Sequence, residues 1–127
     1  MKGQLFVYRA PAELSVLPEV IELEAVPGLD KLQELVGGHI ELVPYFITIG
    51  DRPCIAYVNE WGKIGGRWGG VDFGPLPVNR RATLLWDAAC RRAIGKGLQV
   101  DGEWLDYLVG TVVVLTGDDK FMRALRK

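Results

Sequence analysis

Two strand-like segments and one helix are predicted in the first third of the chain. Residues 5–8 are a short run of strand formers, and residues 20–25 alternate between apolar and acidic positions, as in a strand with one face in water. Over residues 29–36 the apolar positions recur at helical spacing. Gly37 and Gly38 are predicted to end this helix, because glycine adopts the left-handed conformation that a C-terminal cap needs.

A β-hairpin is predicted next, with strands over residues 39–49 and 53–58 and Gly50 in the polar connection. Pro44 cannot donate to a strand ladder, so we expect it at a sheet edge or a bulge. Periodicity then disappears. Residues 61–77 are rich in glycine and aromatic side chains, and they predict a loop that is either functional or mobile.

The second half of the chain predicts two helices and a central strand. Asn79 is expected to cap the N terminus of the first helix, which carries an apolar stripe at helical spacing. Residues 98–107 are ambiguous, with Trp104, Leu105 and Leu108 at the spacing of a short helical turn. The β-branched run over residues 109–115 is the best candidate for a central strand. Asp118 is placed to open a short final helix over residues 121–125.

Residues 1–127 are therefore predicted to form a single α+β domain, with about five mostly antiparallel strands, two main helices on one face of the sheet and a short C-terminal helix. No apolar stretch approaches the roughly 20 residues of a membrane span, and no signal-peptide pattern is found. We expect a cytoplasmic protein without membrane contact. Cys54 and Cys90 are expected to be packed thiols in a reducing compartment.

The net charge of −1 hides an uneven distribution. Residues 62–97 carry seven basic and two acidic side chains, whereas residues 98–119 carry five acidic ones and no lysine or arginine. The two segments either neutralise each other across the fold, or the basic one faces an anionic partner. Nucleic acid is not expected as a partner, because the sequence pI is about 5.8 and no nucleic-acid-binding motif is present.

Candidate chemistry is sparse. His39 is the only histidine and has no further residues at metal-ligand spacing, so neither a metal nor a cofactor is expected. Ser15, the only serine, lacks the glycines of a nucleophile elbow. Sequence alone therefore indicates no catalytic residue.

Two polar stretches are nevertheless expected to converge on one pocket. One follows the hairpin, and the other opens the second helix, where free backbone N–H groups favour an anion. The candidate ligand-binding residues are Asn59, Glu60, Trp61, Lys63, Asn79, Arg80 and Arg81. The arginines either pair with carboxylates such as Glu60 or hold a phosphate or carboxylate. Trp61 and Trp68 either stack on a nucleotide or anchor the loop.

Four segments occur in a recognisable order: GGHIELV at 37–43, NEWGK at 59–63, NRRAT at 79–83 and VGTVV at 109–113. Over about residues 19–117 the chain resembles the domain of unknown function 3846 family, small proteins of bacteriophages and bacterial mobile elements. The segment from Lys63 to Asn79 is longer here than in the family pattern. The resemblance implies a mobile-element setting and brings no catalytic residues with it.

Together these observations predict a non-enzymatic phage or mobile-element accessory protein. Its ligand is expected to be an anionic, nucleotide-like small molecule or an acidic surface of a host protein. One alternative is a small enzyme that uses Glu60 as acid or base while Arg80 and Arg81 hold a charged substrate. Another is a homo-oligomeric protein-interaction module joined through an exposed strand edge or through Trp68.

Overall fold

The described residues form an antiparallel main sheet and three helices. The computed structural model describes residues 1–11, 13–97 and 106–127. Its strands are β1 (Gly3–Tyr8), β2 (Glu19–Leu23), β3 (Ile40–Leu42), β4 (Thr48–Ile49), β5 (Arg52–Asn59), β6 (Gly66–Trp68), β7 (Val71–Phe73) and β8 (Val112–Gly117). Its helices are α1 (Leu29–Val36), α2 (Arg80–Gly95) and α3 (Asp119–Leu125). The predicted α+β class is confirmed, whereas most of the ambiguous segment 98–107 lies outside the described residues.

The main sheet has the strand order β2-β1-β8-β5-β3, with β4 paired to the start of β5, and all these pairs are antiparallel. The apolar run predicted as a central strand forms β8, between β1 and β5. Gly110 has a φ of 68°, so the chain turns before the strand begins at Val112. Pro44 lies in the excursion between β3 and β4, outside the ladder. In the described part of the chain, β2 and β3 are the open edges of this path.

Helices cover both faces of the sheet. Val112 and Val114 of β8 pack in the cluster that contains the apolar stripe of α2. Val113 and Leu115 point the other way and pack with α1 and α3. The two main helices therefore lie on opposite faces, and the prediction that they share one face is wrong. The physical reason is the composition of β8, since a strand with four consecutive apolar residues must be covered on both sides.

The C terminus of α1 and the N terminus of α3 are capped at residues that the sequence pattern indicated. Gly37 caps α1 in the left-handed conformation, with a φ of 74°, and its N–H donates to the Gln33 carbonyl at 2.8 Å. Asp118 caps α3, because its carboxylate accepts from the N–H of Phe121 at 2.8 Å. The predicted cap at Gly37 is confirmed, and Asp118 opens α3 as expected.

Two glycines make room for α3 on the sheet. Gly3 of β1 and Gly117 of β8 are directly paired across the strands. A Cβ atom on Gly3 would lie 2.3 Å from the ring of Phe121, and one on Gly117 would lie 2.6 Å from it. The fully buried Phe121 ring therefore rests on bare backbone, which brings α3 close to β1 and β8.

The segment predicted as a loop over residues 61–77 contains the small β6–β7 hairpin. Gly69 and Gly70 both have positive φ angles, 58° and 78°, as a two-residue type I′ turn requires. The Trp68 ring meets the His39 ring edge-on, with 5.1 Å between their centroids. This contact ties the hairpin to the start of β3.

Neither cysteine is suited to chemistry. Cys54 and Cys90 are free and buried. Burial raises the pKa of Cys54 to about 12 and that of Cys90 to about 11, so both thiols stay protonated at neutral pH. Among the described residues, no helix is both long and apolar enough to cross a bilayer.

Candidate functional site

Asn59, at the end of β5, is used within the fold. Its side-chain amide donates to the carbonyl oxygens of Val36 at 3.2 Å and Gly37 at 3.3 Å, which are left open at the end of α1. Its side-chain oxygen accepts from the N–H of Trp61 at 2.9 Å and so shapes the turn after the strand. Asn59 therefore positions Trp61 instead of offering its own amide to a ligand.

Asn79 is engaged in the same way at the start of α2. Its oxygen caps the helix by accepting from the N–H of Ala82 at 3.1 Å, which confirms the predicted cap. Its amide donates to the carbonyl oxygens of Tyr8 at 2.8 Å and Gly110 at 2.9 Å. Because the side chain is only 2% exposed and all three contacts are to backbone, Asn79 holds α2 against β1 and the approach to β8.

A pocket of about 320 Å³, the aromatic pocket, opens on the α2 side of the sheet where β5 ends. Trp61 and Tyr107 stand at its rim and are each 45% exposed, while the buried indole of Trp86 lines it from α2. Trp86 is held by its indole N–H, which donates to the Pro44 carbonyl at 2.7 Å. The pocket is thus lined by aromatic surfaces supplied by three separate parts of the chain.

Lys63 is committed to partners inside the aromatic pocket. Its ammonium group donates to the Asp106 carboxylate and lies 4.7 Å from the centroid of the Tyr107 ring. Partial burial acts to raise the pKa of Asp106, but the hydrogen bonds from Lys63 and from the Tyr107 N–H outweigh it and leave the pKa below its ordinary value. Lys63 was expected to bind an anionic ligand, but its ammonium group is already paired with the Asp106 carboxylate.

The charge of the aromatic pocket is negative. Among the described residues, its lining carries the carboxylates of Glu41, Glu60 and Asp106 against the single ammonium of Lys63. Glu41, Asp106 and Tyr107 were not among the residues predicted from sequence. The available signal was the acidic segment 98–119 opposite the basic segment 62–97, which meet here through Lys63 and Asp106.

A second, smaller pocket of about 170 Å³, the arginine pocket, lies on the other side of the start of α2. Tyr8, Arg9 and Arg81 line it together with apolar residues of the segment that leads into β2. Burial raises the pKa of Tyr8, and the nearby positive charge of Arg81 partly offsets that effect. Arg9 is paired with Glu19 at 3.2 Å, so Arg81 supplies the uncompensated positive charge of the lining.

Arg81 is incompletely satisfied. One terminal nitrogen, Nη1, donates to the carbonyl oxygen of Leu14 and so ties the segment before β2 to α2. The Nε atom is fully buried and has no hydrogen-bond partner among the described residues. A buried N–H without an acceptor is rare in folded proteins and calls for an explanation.

The two predicted stretches line different pockets. Asn59, Glu60, Trp61 and Lys63 line the aromatic pocket, whereas Asn79 and Arg81 line the arginine pocket. Arg80 is exposed and belongs to neither lining. No ion pair joins Glu60 to either arginine within the described ranges. The arrangement of Glu60 beside Arg80 and Arg81 that the enzyme hypothesis requires is therefore not assembled in these two pockets.

No group of three or more His, Cys, Asp and Glu residues in the described part of the chain could hold a metal ion. His39 instead packs against Trp68. Trp68 is half-buried by that contact, so it anchors the hairpin, as one of its two interpretations expected.

Comparison with known families matches residues 7–124 to a family described as a domain of unknown function (DUF3846). The match covers nearly the whole chain and includes both pockets. No curated protein and no solved structure matched the chain.

Proposed function

The chain belongs to the DUF3846 family, a domain of unknown function, and we propose that it is a non-catalytic binding module that holds the anionic group of a ligand in the arginine pocket. Such a protein fits the mobile-element setting that the resemblance implies and the cytoplasmic location, in a bacterial host, that is expected from the sequence. The observation that carries the proposal is the buried Nε of Arg81, which faces no acceptor in the described structure.

The chemistry of Arg81 favours a carboxylate or phosphate. A guanidinium binds such groups through two parallel N–H donors, and hydrogen bonds between charged partners are roughly twice as strong as neutral ones. Nε has no exposed surface in this structure, so an acceptor reaches it only when the guanidinium turns toward the pocket. The hydrogen bond formed there would remove the cost of leaving a buried donor unpaired, about 1–3 kcal/mol. Arg81 therefore gains more from an anion than an exposed arginine would.

The size and lining of the arginine pocket limit the kinds of ligand that it can hold. At about 170 Å³ it falls below the roughly 300–1,000 Å³ of sites that enclose a whole drug-sized ligand. Val16, Leu17 and Pro18 make much of its wall apolar. These features support an anionic group attached to a short apolar body more than a complete nucleotide.

The proposal is tested with hexanoate and inorganic phosphate as probes and hexanol as the neutral control. Binding is followed through the Nε–H resonance of Arg81 in nitrogen–proton spectra. Hexanoate is expected to shift this resonance in a saturable manner because it supplies both the anion and the apolar body. A response to phosphate alone would favour a phosphate ligand. A response to hexanol equal to that of hexanoate would refute an anion site.

Arg80 provides a matched control, since it is the same residue type one position earlier, exposed and outside both pocket linings. We expect Arg81→Lys to weaken hexanoate binding about tenfold, because lysine keeps the charge but loses the paired donors. Arg80→Lys is expected to leave the affinity unchanged. Equal losses in the two variants would indicate non-specific attraction to the positive charge at the start of α2 and would contradict the proposal.

A further inference from the structure

We propose that the aromatic pocket docks a partner protein through a segment in which a lysine or arginine is flanked by apolar residues. This site shares no lining residue with the arginine pocket, so the inference stands apart from the proposed function. The sequence led us to expect an acidic partner, whereas the acidic lining of this pocket favours a basic one.

The charges of the lining favour a basic partner. Of the three carboxylates in the lining, Asp106 is paired with Lys63. Glu41 and Glu60 are exposed, and neither forms an ion pair with a basic side chain in the described ranges. Two carboxylates beside an apolar cavity leave a negative field that a basic side chain of a partner would neutralise.

The chain's own Lys63 shows how the pocket receives a cation. Its ammonium group contacts a carboxylate, that of Asp106, and lies over an aromatic ring, that of Tyr107, at the same time. A cation over an aromatic face is attracted by the negative charge of the ring face, and the attraction is stronger where water is excluded. Glu60 and the adjacent Trp61 supply a second carboxylate and a second aromatic ring to the lining. Among the described residues, Glu60 forms no ion pair and no cation lies over the Trp61 ring.

The apolar surface around the pocket points to a protein segment instead of a free amine. Leu42 is 58% exposed and Ile64 is 70% exposed, and both belong to the lining together with half-exposed Trp61 and Tyr107. Interface cores favour aromatic side chains surrounded by a polar rim. The flanking apolar residues of a docked segment would cover this surface, which a small amine would leave in water.

The experiment titrates the full chain with an acetylated, amidated Gly-Leu-Lys-Leu-Gly peptide. Matched probes are the same peptide with Gln in place of Lys, and hexylamine. Backbone amide shifts of residues 58–64 report binding. The lysine peptide is expected to bind about tenfold more tightly than the glutamine peptide, and raising the salt concentration should narrow that difference.

Two variants test whether the peptide binds at the aromatic pocket. Glu60→Gln removes one carboxylate without changing the size of the side chain, and Trp61→Ala removes the rim indole. Each variant is expected to bind the lysine peptide about fivefold more weakly than the native chain does. The matched controls are Glu34→Gln on α1 and Leu84→Ala on α2, both exposed and outside the lining, and neither should change the affinity.

Three results would overturn the inference. Equal affinity for the lysine and glutamine peptides would show that charge plays no part. Hexylamine binding as tightly as the peptide would assign the pocket to a small amine. Unchanged affinity in Glu60→Gln would place the binding elsewhere, and this variant keeps the test decisive even if Trp61→Ala perturbs the fold.

Discussion

At the scale of single residues, the side chain of Asn79 forms hydrogen bonds to three backbone groups at once. It caps α2 and donates to the carbonyl oxygens of Tyr8 and Gly110. Because the residue is buried, loss of the amide leaves those carbonyls without their donor and out of contact with water. Asn79 is therefore expected to contribute to stability more than to ligand affinity.

We expect Asn79→Ala to lower the free energy of unfolding by about 2–4 kcal/mol, the sum of a lost cap and unpaired buried carbonyls. Asn79→Asp keeps an oxygen for the cap but turns an acceptor toward the two carbonyl oxygens. It should therefore be at least as destabilising as Asn79→Ala. Urea denaturation measures both changes. An Asp variant as stable as the native chain would show that the donated hydrogen bonds contribute little.

Sequence reasoning could predict the cap of Asn79 but not its other contacts. An asparagine before a helix-forming segment indicates a cap, because that interaction is local. The Tyr8 and Gly110 carbonyls lie 71 and 31 residues away, and only the fold brings them together. The same holds for Asn59, which meets the end of α1 over 22 and 23 residues. Both amides therefore resembled ligand-binding groups when only the sequence was considered.

At the scale of elements, the Gly3 and Gly117 pair determines how closely α3 approaches the sheet. The Phe121 ring occupies the space that side chains on the two glycines would take. The contact joins the first strand of the chain to its last helix. It therefore fixes α3 by steric fit as well as by the burial of Phe121.

We expect Gly3→Ala to destabilise the chain by about 1–3 kcal/mol through overpacking against Phe121. Phe121→Leu alone should also be destabilising, because it removes buried ring contacts. In the Gly3→Ala background, however, leucine at position 121 relieves the clash with the new methyl group. Phe121→Leu should therefore lower the free energy of unfolding less there than it does in the native chain. A double-mutant cycle of unfolding free energies measures this coupling. Strictly additive effects would contradict the proposed contact.

The elements that sequence reasoning missed have identifiable causes. The β6–β7 hairpin was predicted as a loop because its glycines interrupt any alternation, although Gly69-Gly70 is itself a turn signal. The helices were placed on one face because each has a single apolar stripe. The contrary signal was the absence of polar positions from Val112 to Leu115, which indicates cover on both sides.

At the scale of the whole molecule, β8 couples the two halves of the core. Val112 and Val114 belong to the cluster with α2, while Val113 and Leu115 belong to the cluster with α1 and α3, and all four are fully buried. Neither layer of helices can leave the sheet without exposing one side of the same strand. We therefore expect the two clusters to unfold together.

Leu115→Ala is expected to lower the free energy of unfolding by about 2–5 kcal/mol. The destabilisation should appear equally in far-UV circular dichroism and in tryptophan fluorescence, to which Trp86 on the opposite face contributes. Val114→Ala, on the α2 face, provides the reciprocal measurement. Separate transitions for the two probes would show that the faces unfold independently.

The charge imbalance along the sequence is only partly resolved in the fold. Lys63 and Asp106 join the basic and acidic segments, as the neutralisation interpretation expected. Arg91 pairs instead with Asp87 at 3.0 Å, one turn away within the basic segment. The charge distribution therefore leaves local fields of opposite sign in the two pockets, which the sequence could not locate.

Among the described residues, the edges β2 and β3 of the main sheet are open, which affects how copies of this chain behave in concentrated solution. Exposed edges invite the backbone of a second molecule to pair with them and begin aggregation. Glu22 on β2 and Glu41 on β3 place exposed carboxylates at these edges, and β3 is only three residues long. Repulsion between like charges opposes intermolecular pairing at either edge, so these carboxylates help to keep the protein dispersed.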